Sequence, residues 1–241
     1  MRPVRAALKL FLFGFVALVS NTDGDVAYAK PSSRVARLRV PPPPSAKRAF
    51  TAISFSKLPP VSIRNINSRK SASLNLYTSS GLINDQVAEE LDSLLCDARD
   101  PEDIRTRTMA RRLLQLVFRA AYHFLSTHID VVSAYRKAKA GAYEGVHARG
   151  HAIDFRLQGV APAALASYLR TMPRVGVGIY THPKTQFVHL DVREHSFHWL
   201  DASPPRRHWR ERNISGKGLD ALDSKYTPKD DWPEGFDPPA R

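Results

Sequence analysis

Two short stretches concentrate side chains that could do chemistry together. The first is His147-Ala148-Arg149-Gly150-His151-Ala152-Ile153-Asp154, which sets a histidine and an aspartate seven residues apart with a glycine between them where the chain can turn. The alternation from Ala152 to Leu157 predicts a strand, with Asp154 on the face opposite Ile153 and Phe155. A carboxylate flanked by apolar residues needs a partner, because burying an unpaired charge is costly, and a metal ion or an arginine would serve. The second stretch is Phe187-Val188-His189-Leu190-Asp191, where His189 and Asp191 share one strand face. Together the two stretches supply two histidines and a carboxylate, the donor set with which a catalytic zinc keeps a fourth position open for water.

The order and spacing of these segments resemble the signature of the D-Ala-D-Ala-type zinc peptidases, and within them the YcbK-like murein endopeptidases. The resemblance rests on His147-x-x-Gly150-x-Ala152-x-Asp154 followed by Val188-His189-x-Asp191. It extends to Ser133-Ala134-Tyr135-Arg136 and to Val175-Gly176-Val177-Gly178-Ile179-Tyr180. It covers roughly residues 63–200. It implies a small antiparallel sheet with helices beside it and a zinc site at the sheet, held by His147, Asp154 and His189. The implied substrate is a stem peptide or cross-link of peptidoglycan. In such a site zinc lowers the pKa of bound water to roughly 7 and polarises the scissile carbonyl. Arg136 is the expected oxyanion or substrate-carboxylate contact, for which a guanidinium fork is suited. Asp191 is the first candidate for the general base, or else orients a ligand, and His151 is the next. The pattern is broken at Gly145, Ala134, Lys137 and Phe187, and around Arg193-Glu194, and none of these positions is a proposed ligand.

Each feature also has a plainer reading. Arg136 could pair with Asp154 or Glu144. His182, His195, His198 and His208 fit the surface or the neighbourhood of aromatics. Trp199 and Trp209 read as packing residues rather than a carbohydrate platform, and Cys96 as inert core. The same fold without catalysis would be a wall-binding module, and an enclosed pocket would make a D,D- or L,D-carboxypeptidase.

The elements that must carry these residues follow from periodicity. Asn84 or Asp85 caps a helix with Val87, Leu91, Leu94 and Leu95 on one side, and Pro101 begins another element. A longer helix runs through Met109, Leu113, Leu114, Leu116, Val117 and Ala120, and a third spans Pro162 to Met172. Residues 73–77, 129–135, 152–157, 175–180 and 187–192 read as strands, the last two joined by a turn at His182-Pro183. Helices and antiparallel strands in uneven order define an α+β class.

The ends and the charge bound the setting. Arg2, Arg5 and Lys9 precede an apolar run from Leu10 to Ser20, and Ala27-Tyr28-Ala29 is a small-x-small cleavage site, so residues 1–29 read as a signal peptide. That run is shorter than the roughly 20 residues a membrane-spanning helix needs, so no stable anchor is expected. Residues 30–62, with Pro41 to Pro44 and Pro59-Pro60, read as a tether. Residues 63–203 form the expected zinc peptidase domain. Residues 204–241, rich in arginine and proline, read as a basic tail in which order fades. A formal charge of +13 suits an anionic partner, and export favours an acidic envelope polymer over nucleic acid. Cys96 is the sole cysteine, so no internal disulfide holds the fold. The expectation is a periplasmic or secreted monomer.

Overall fold

A computed structural model describes residues 54–96, 108–137, 145–207 and 209–236, all within a compact unit that begins at Arg48. The expected signal peptide, most of the expected tether, the expected Pro101 element and Glu144 lie outside the described residues. No helix among the described residues is long and apolar enough to cross a membrane.

Eight strands form one sheet in the order β2-β1-β3-β4-β6-β5-β7-β8. The strands are β1 (Val61–Asn65), β2 (Ser71–Leu74), β3 (His128–Ser133) and β4 (Ala152–Leu157), then β5 (Val175–Tyr180), β6 (Phe187–Val192), β7 (Phe197–Asp201) and β8 (Glu211–Asn213). The helices are α1 (Asp85–Leu95), α2 (Arg111–His123), α3 (Pro162–Leu169) and the short α4 (Leu219–Asp223). The class is α+β as expected, but the sheet is larger than expected and mixed. The β1–β3 and β5–β7 pairs are parallel, and the other five are antiparallel.

Of the three strands absent from the sequence reading, β1 does alternate, with Val61, Ile63 and Asn65 buried, whereas β7 and β8 escaped for a physical reason. In β7 the neighbours His198 and Trp199 are both buried, and in β8 all three residues are exposed, so neither strand shows an apolar alternation. The helices were more legible. Asn84 caps α1, its side chain accepting from Gln86 and Val87 N–H groups. Along α2, Leu113, Leu116, Val117 and Ala120 enter the core. There they join Ile153, Phe155, Val177, Val188 and Leu190 from the sheet. Burying one apolar stripe on one sheet face leaves the opposite face for polar work.

The described part of the segment after residue 203, residues 204–207 and 209–236, is ordered, which corrects the expectation of a fading tail there. It adds β8, α4 and a 3-10 turn at Pro228–Asp231. Polar ties hold it rather than an apolar period. Asp223 accepts from Arg174 N–H (2.5 Å), Ser196 N–H (2.6 Å) and Ser196 Oγ (2.6 Å). Asp231 accepts from Arg112 Nε (2.8 Å) and from the Tyr226 hydroxyl (2.6 Å), and Trp232 packs against Phe55 and Tyr77.

Candidate metal centre

The centre is built on the antiparallel β4–β6 pair, where Asp154 stands directly opposite His189 and Ala152 opposite Asp191. A register shift between Val131 and Ser133 in β3 sets Ser133 against Asp154, and such bulges re-aim side chains at functional sites. His147 comes from the turn at residues 146–150. Gly150 closes that turn at φ 71°, and a Cβ there would lie 2.4 Å from the Thr108 carbonyl oxygen. The Gly150 carbonyl accepts from Ala110 N–H (2.9 Å) just before α2, which fixes the turn to that helix.

Three buried side chains converge. His147, Asp154 and His189 each present one donor atom, and the three atoms lie within 4.8 Å of one another. Hydrogen bonds select which atoms these are. His147 donates from Nδ1 to the Ala134 carbonyl (2.7 Å), which leaves Nε2 facing inward, 3.6 Å from Asp154 Oδ1. His189 donates from Nε2 to Asp191 Oδ2 (3.0 Å), which turns Nδ1 towards Asp154 Oδ1 at 2.8 Å. His147 Nε2 and His189 Nδ1 are 3.3 Å apart. Two imidazole nitrogens and one carboxylate oxygen suit zinc, and Ala134 and Asp191 supply the outer partners such histidines use.

The electrostatics follow from the same contacts. Burial alone would raise the Asp154 carboxyl, but hydrogen bonds from His147 and His189 outweigh it and hold it well below the usual carboxylate range. Burial opposes charge on His189 as well, yet Asp154 and Asp191 on its two sides bring it up to about 9. Asp191 is fully buried, and Arg193 donates to its Oδ1 (2.6 Å) and Oδ2 (2.5 Å). Burial is again overcome, here by His189 and Arg193, which pull Asp191 down to about 2.

Arg193 and Trp199 were not singled out as site residues from the sequence. The Trp199 ring sits 5.0 Å from the His189 ring, and the Arg193 guanidinium lies 5.9 Å from the Phe197 ring. Both depend on β5, whose Gly176 and Gly178 share the site face. A Cβ on Gly176 would lie 2.1 Å from Asp191 Oδ2, and one on Gly178 would lie 2.4 Å from Trp199. Small residues at every second position of one strand were the available signal, since they mark a face that something large must cross.

The remaining residues fall into place unevenly. Arg136 is exposed at the end of β3, its backbone N–H on the His147 carbonyl (3.3 Å), and its side chain makes no hydrogen bond or ion pair among the described residues. It therefore does not pair with Asp154. His151 follows the turn, half-buried. Trp199 is packed as expected, whereas Trp209 is 63% exposed and is not a packing residue. Nor is His198 on the surface: it is 3% exposed, on the sheet face opposite the centre. Cys96 is buried, as expected.

A buried His–Asp–His donor set, two members on an antiparallel strand pair and one on the adjoining turn, is a group that could hold one metal ion. The chain belongs to the peptidoglycan L,D-endopeptidase MepK family, whose model matches residues 56–199. Among similar proteins, the peptidoglycan L,D-endopeptidase MepK of Escherichia coli K12 is 24% identical over 173 residues, covering 67% of this chain and 85% of its own. A probable peptidoglycan L,D-endopeptidase MepK of Haemophilus influenzae is 28% identical over 144 residues, covering 55% of this chain and 74% of its own. No solved structure matches.

Proposed function

We propose that this chain is an exported, zinc-dependent endopeptidase that hydrolyses a peptide bond in peptidoglycan cross-links, the L,D bond named for its relatives being the first to test. The observation that carries the reading is the convergence of His147 Nε2, Asp154 Oδ1 and His189 Nδ1 in a buried cluster within the family match. Those three atoms would hold the zinc, which when bound supplies an acidified water and a polarising charge.

The chain's own residues do the rest. Ala134 and Asp191 hold the two imidazoles in the orientation that keeps a nitrogen free for the ion. Arg193 neutralises Asp191 and keeps its carboxylate engaged, so Asp191 acts as a positioning residue for His189 rather than as the base. With Asp191 so used, proton transfer falls to another group, and His151 is the first to test. Arg136, exposed beside the His147 turn, grips a substrate carboxylate. Residues 1–29 act as a cleaved leader, which places the enzyme in the periplasm or outside the cell.

The test is digestion of purified peptidoglycan with and without zinc, with a His189→Ala control and the fragments identified by mass. Zinc-dependent release of muropeptides that the control does not give is the expected result. Retained zinc with no product from any cross-link type would overturn the enzyme reading in favour of a wall-binding module.

A further inference from the structure

Most of the described arginines before residue 200 are tied to a partner, Arg136 being among the exceptions. Arg64 is tied to Asp130, Arg111 to Asp92, Arg112 to Asp231, Arg174 to Glu194 and Arg193 to Asp191. Arg156 donates to the Thr185 and Gln186 carbonyls, and Arg119 to the Asp230 carbonyl. The segment from Arg206 to Arg212 breaks this habit. It carries four arginines against one glutamate in seven residues, outside the part of the chain that the family match covers. Arg206, Arg207, Arg210 and Arg212 are all exposed and make no ion pair among the described residues. The guanidinium of Arg210 lies 4.3 Å from the ring centroid of Trp209, which is itself 63% exposed.

The segment is a built surface. Ser203 N–H is held by Asp201 Oδ1 (2.7 Å), Arg210 N–H by Ser203 Oγ (2.8 Å) and Arg207 N–H by the Pro204 carbonyl (3.1 Å). The chain then enters β8, the outermost strand, where Asn213 stands opposite Trp199, the residue against His189, and Arg212 stands opposite Leu200 on the other sheet face. From β6 to β8 there are three strand spacings, about 14 Å. Charge on an exposed edge strand also blunts pairing with other chains. That task leaves the exposed Trp209 unaccounted for.

We propose that the Arg206–Arg212 edge is a second contact for the anionic peptidoglycan polymer, the guanidiniums of Arg206, Arg207 and Arg210 meeting stem-peptide carboxylates, Trp209 stacking on a sugar ring and Arg212 adding only to the charge of the edge. The proposal rests on the peptidoglycan reading above. A polymer fits because one extended ligand can reach both this edge and the zinc site, which raises its effective concentration at the reacting centre. Exposed arginines each add little alone, so the contact works through their number.

The experiment is co-sedimentation of the protein with purified sacculi over a range of salt concentrations. It compares the unaltered chain, the fourfold Arg206, Arg207, Arg210 and Arg212→Gln variant, Trp209→Ala and His189→Ala, with thermal melts to show that each is folded. The fourfold variant should bind about tenfold more weakly at low salt and lose the salt dependence. Its preference for intact sacculi over soluble cross-linked fragments should fall in step, and Trp209→Ala should lie between. His189→Ala should lose zinc-dependent release and bind sacculi more weakly overall, yet keep the salt-dependent part of binding, which separates this proposal from the hydrolase reading. Equal sedimentation of the folded fourfold variant would overturn the proposal. So would arginine-dependent binding to phosphatidylglycerol vesicles or to DNA with none to sacculi.

Discussion

Asp191 shows how much one buried carboxylate can organise. It has no exposed surface, and its two oxygens are engaged by His189 Nε2 and the Arg193 fork. It decides which nitrogen His189 presents, and with it whether the three donor atoms face one another. Replacing it by asparagine keeps the shape but removes the charge and turns an amide towards Arg193 or His189. Asp191→Asn should lower zinc affinity by about 10–100-fold, as for other partners of ligating histidines. Chelator competition on the folded variant measures this directly, and an unchanged affinity would return Asp191 to the role of base.

The C-terminal segment is the clearest lesson among the elements. The α4 helix is short and carries no long apolar stripe, yet Asp223 satisfies two backbone N–H groups, at Arg174 before β5 and at Ser196 before β7. Asp231 satisfies Arg112 on α2, whose guanidinium also donates to the Pro173 and Arg174 carbonyls (2.7 Å each). The segment thus fixes the ends of the strands that carry Gly176 and Trp199. Ending the chain at Lys217 leaves those donors without partners, at about 1–3 kcal/mol each where they stay buried. For a unit of this size each kcal/mol corresponds to about 2–4 °C, so the truncated protein should melt roughly 10 °C or more below the full chain. Circular dichroism on heating checks this, and an unchanged melting temperature would show that the segment is only draped on the core.

Across the whole molecule, stability should carry a signature of His198. Its Nε2 has no hydrogen-bond partner among the described residues. Burial first, then Arg170 and Arg193, push its pKa down to about 4 from 6.5, against the opposing pull of Asp223. Between those values the His198 imidazole binds more protons in the unfolded chain than in the folded one, so its contribution to stability falls as pH drops from about 6.5 to about 4 and is level above that range. A His198→Phe variant should show a shallower acid decline in urea midpoints measured from pH 4 to 7.5. Parallel declines in the two proteins would mean that the imidazole is solvated.

The local alternation from Ala152 to Leu157 and from Phe187 to Val192, the Asn84 cap and the spacing of His147, Asp154 and His189 were all readable in the sequence. Each depends on side-chain period or backbone turning within a few residues. What the tertiary structure alone decided needs contacts between distant positions. The Ala134 carbonyl and Asp191 select the imidazole nitrogens, and β5 glycines admit Arg193 and Trp199 to the site face. Residues beyond 203, polar and without period, join the sheet and the core through ion pairs and buried carboxylates. Periodicity reports burial of apolar surface, so an element held by polar ties leaves no trace in it.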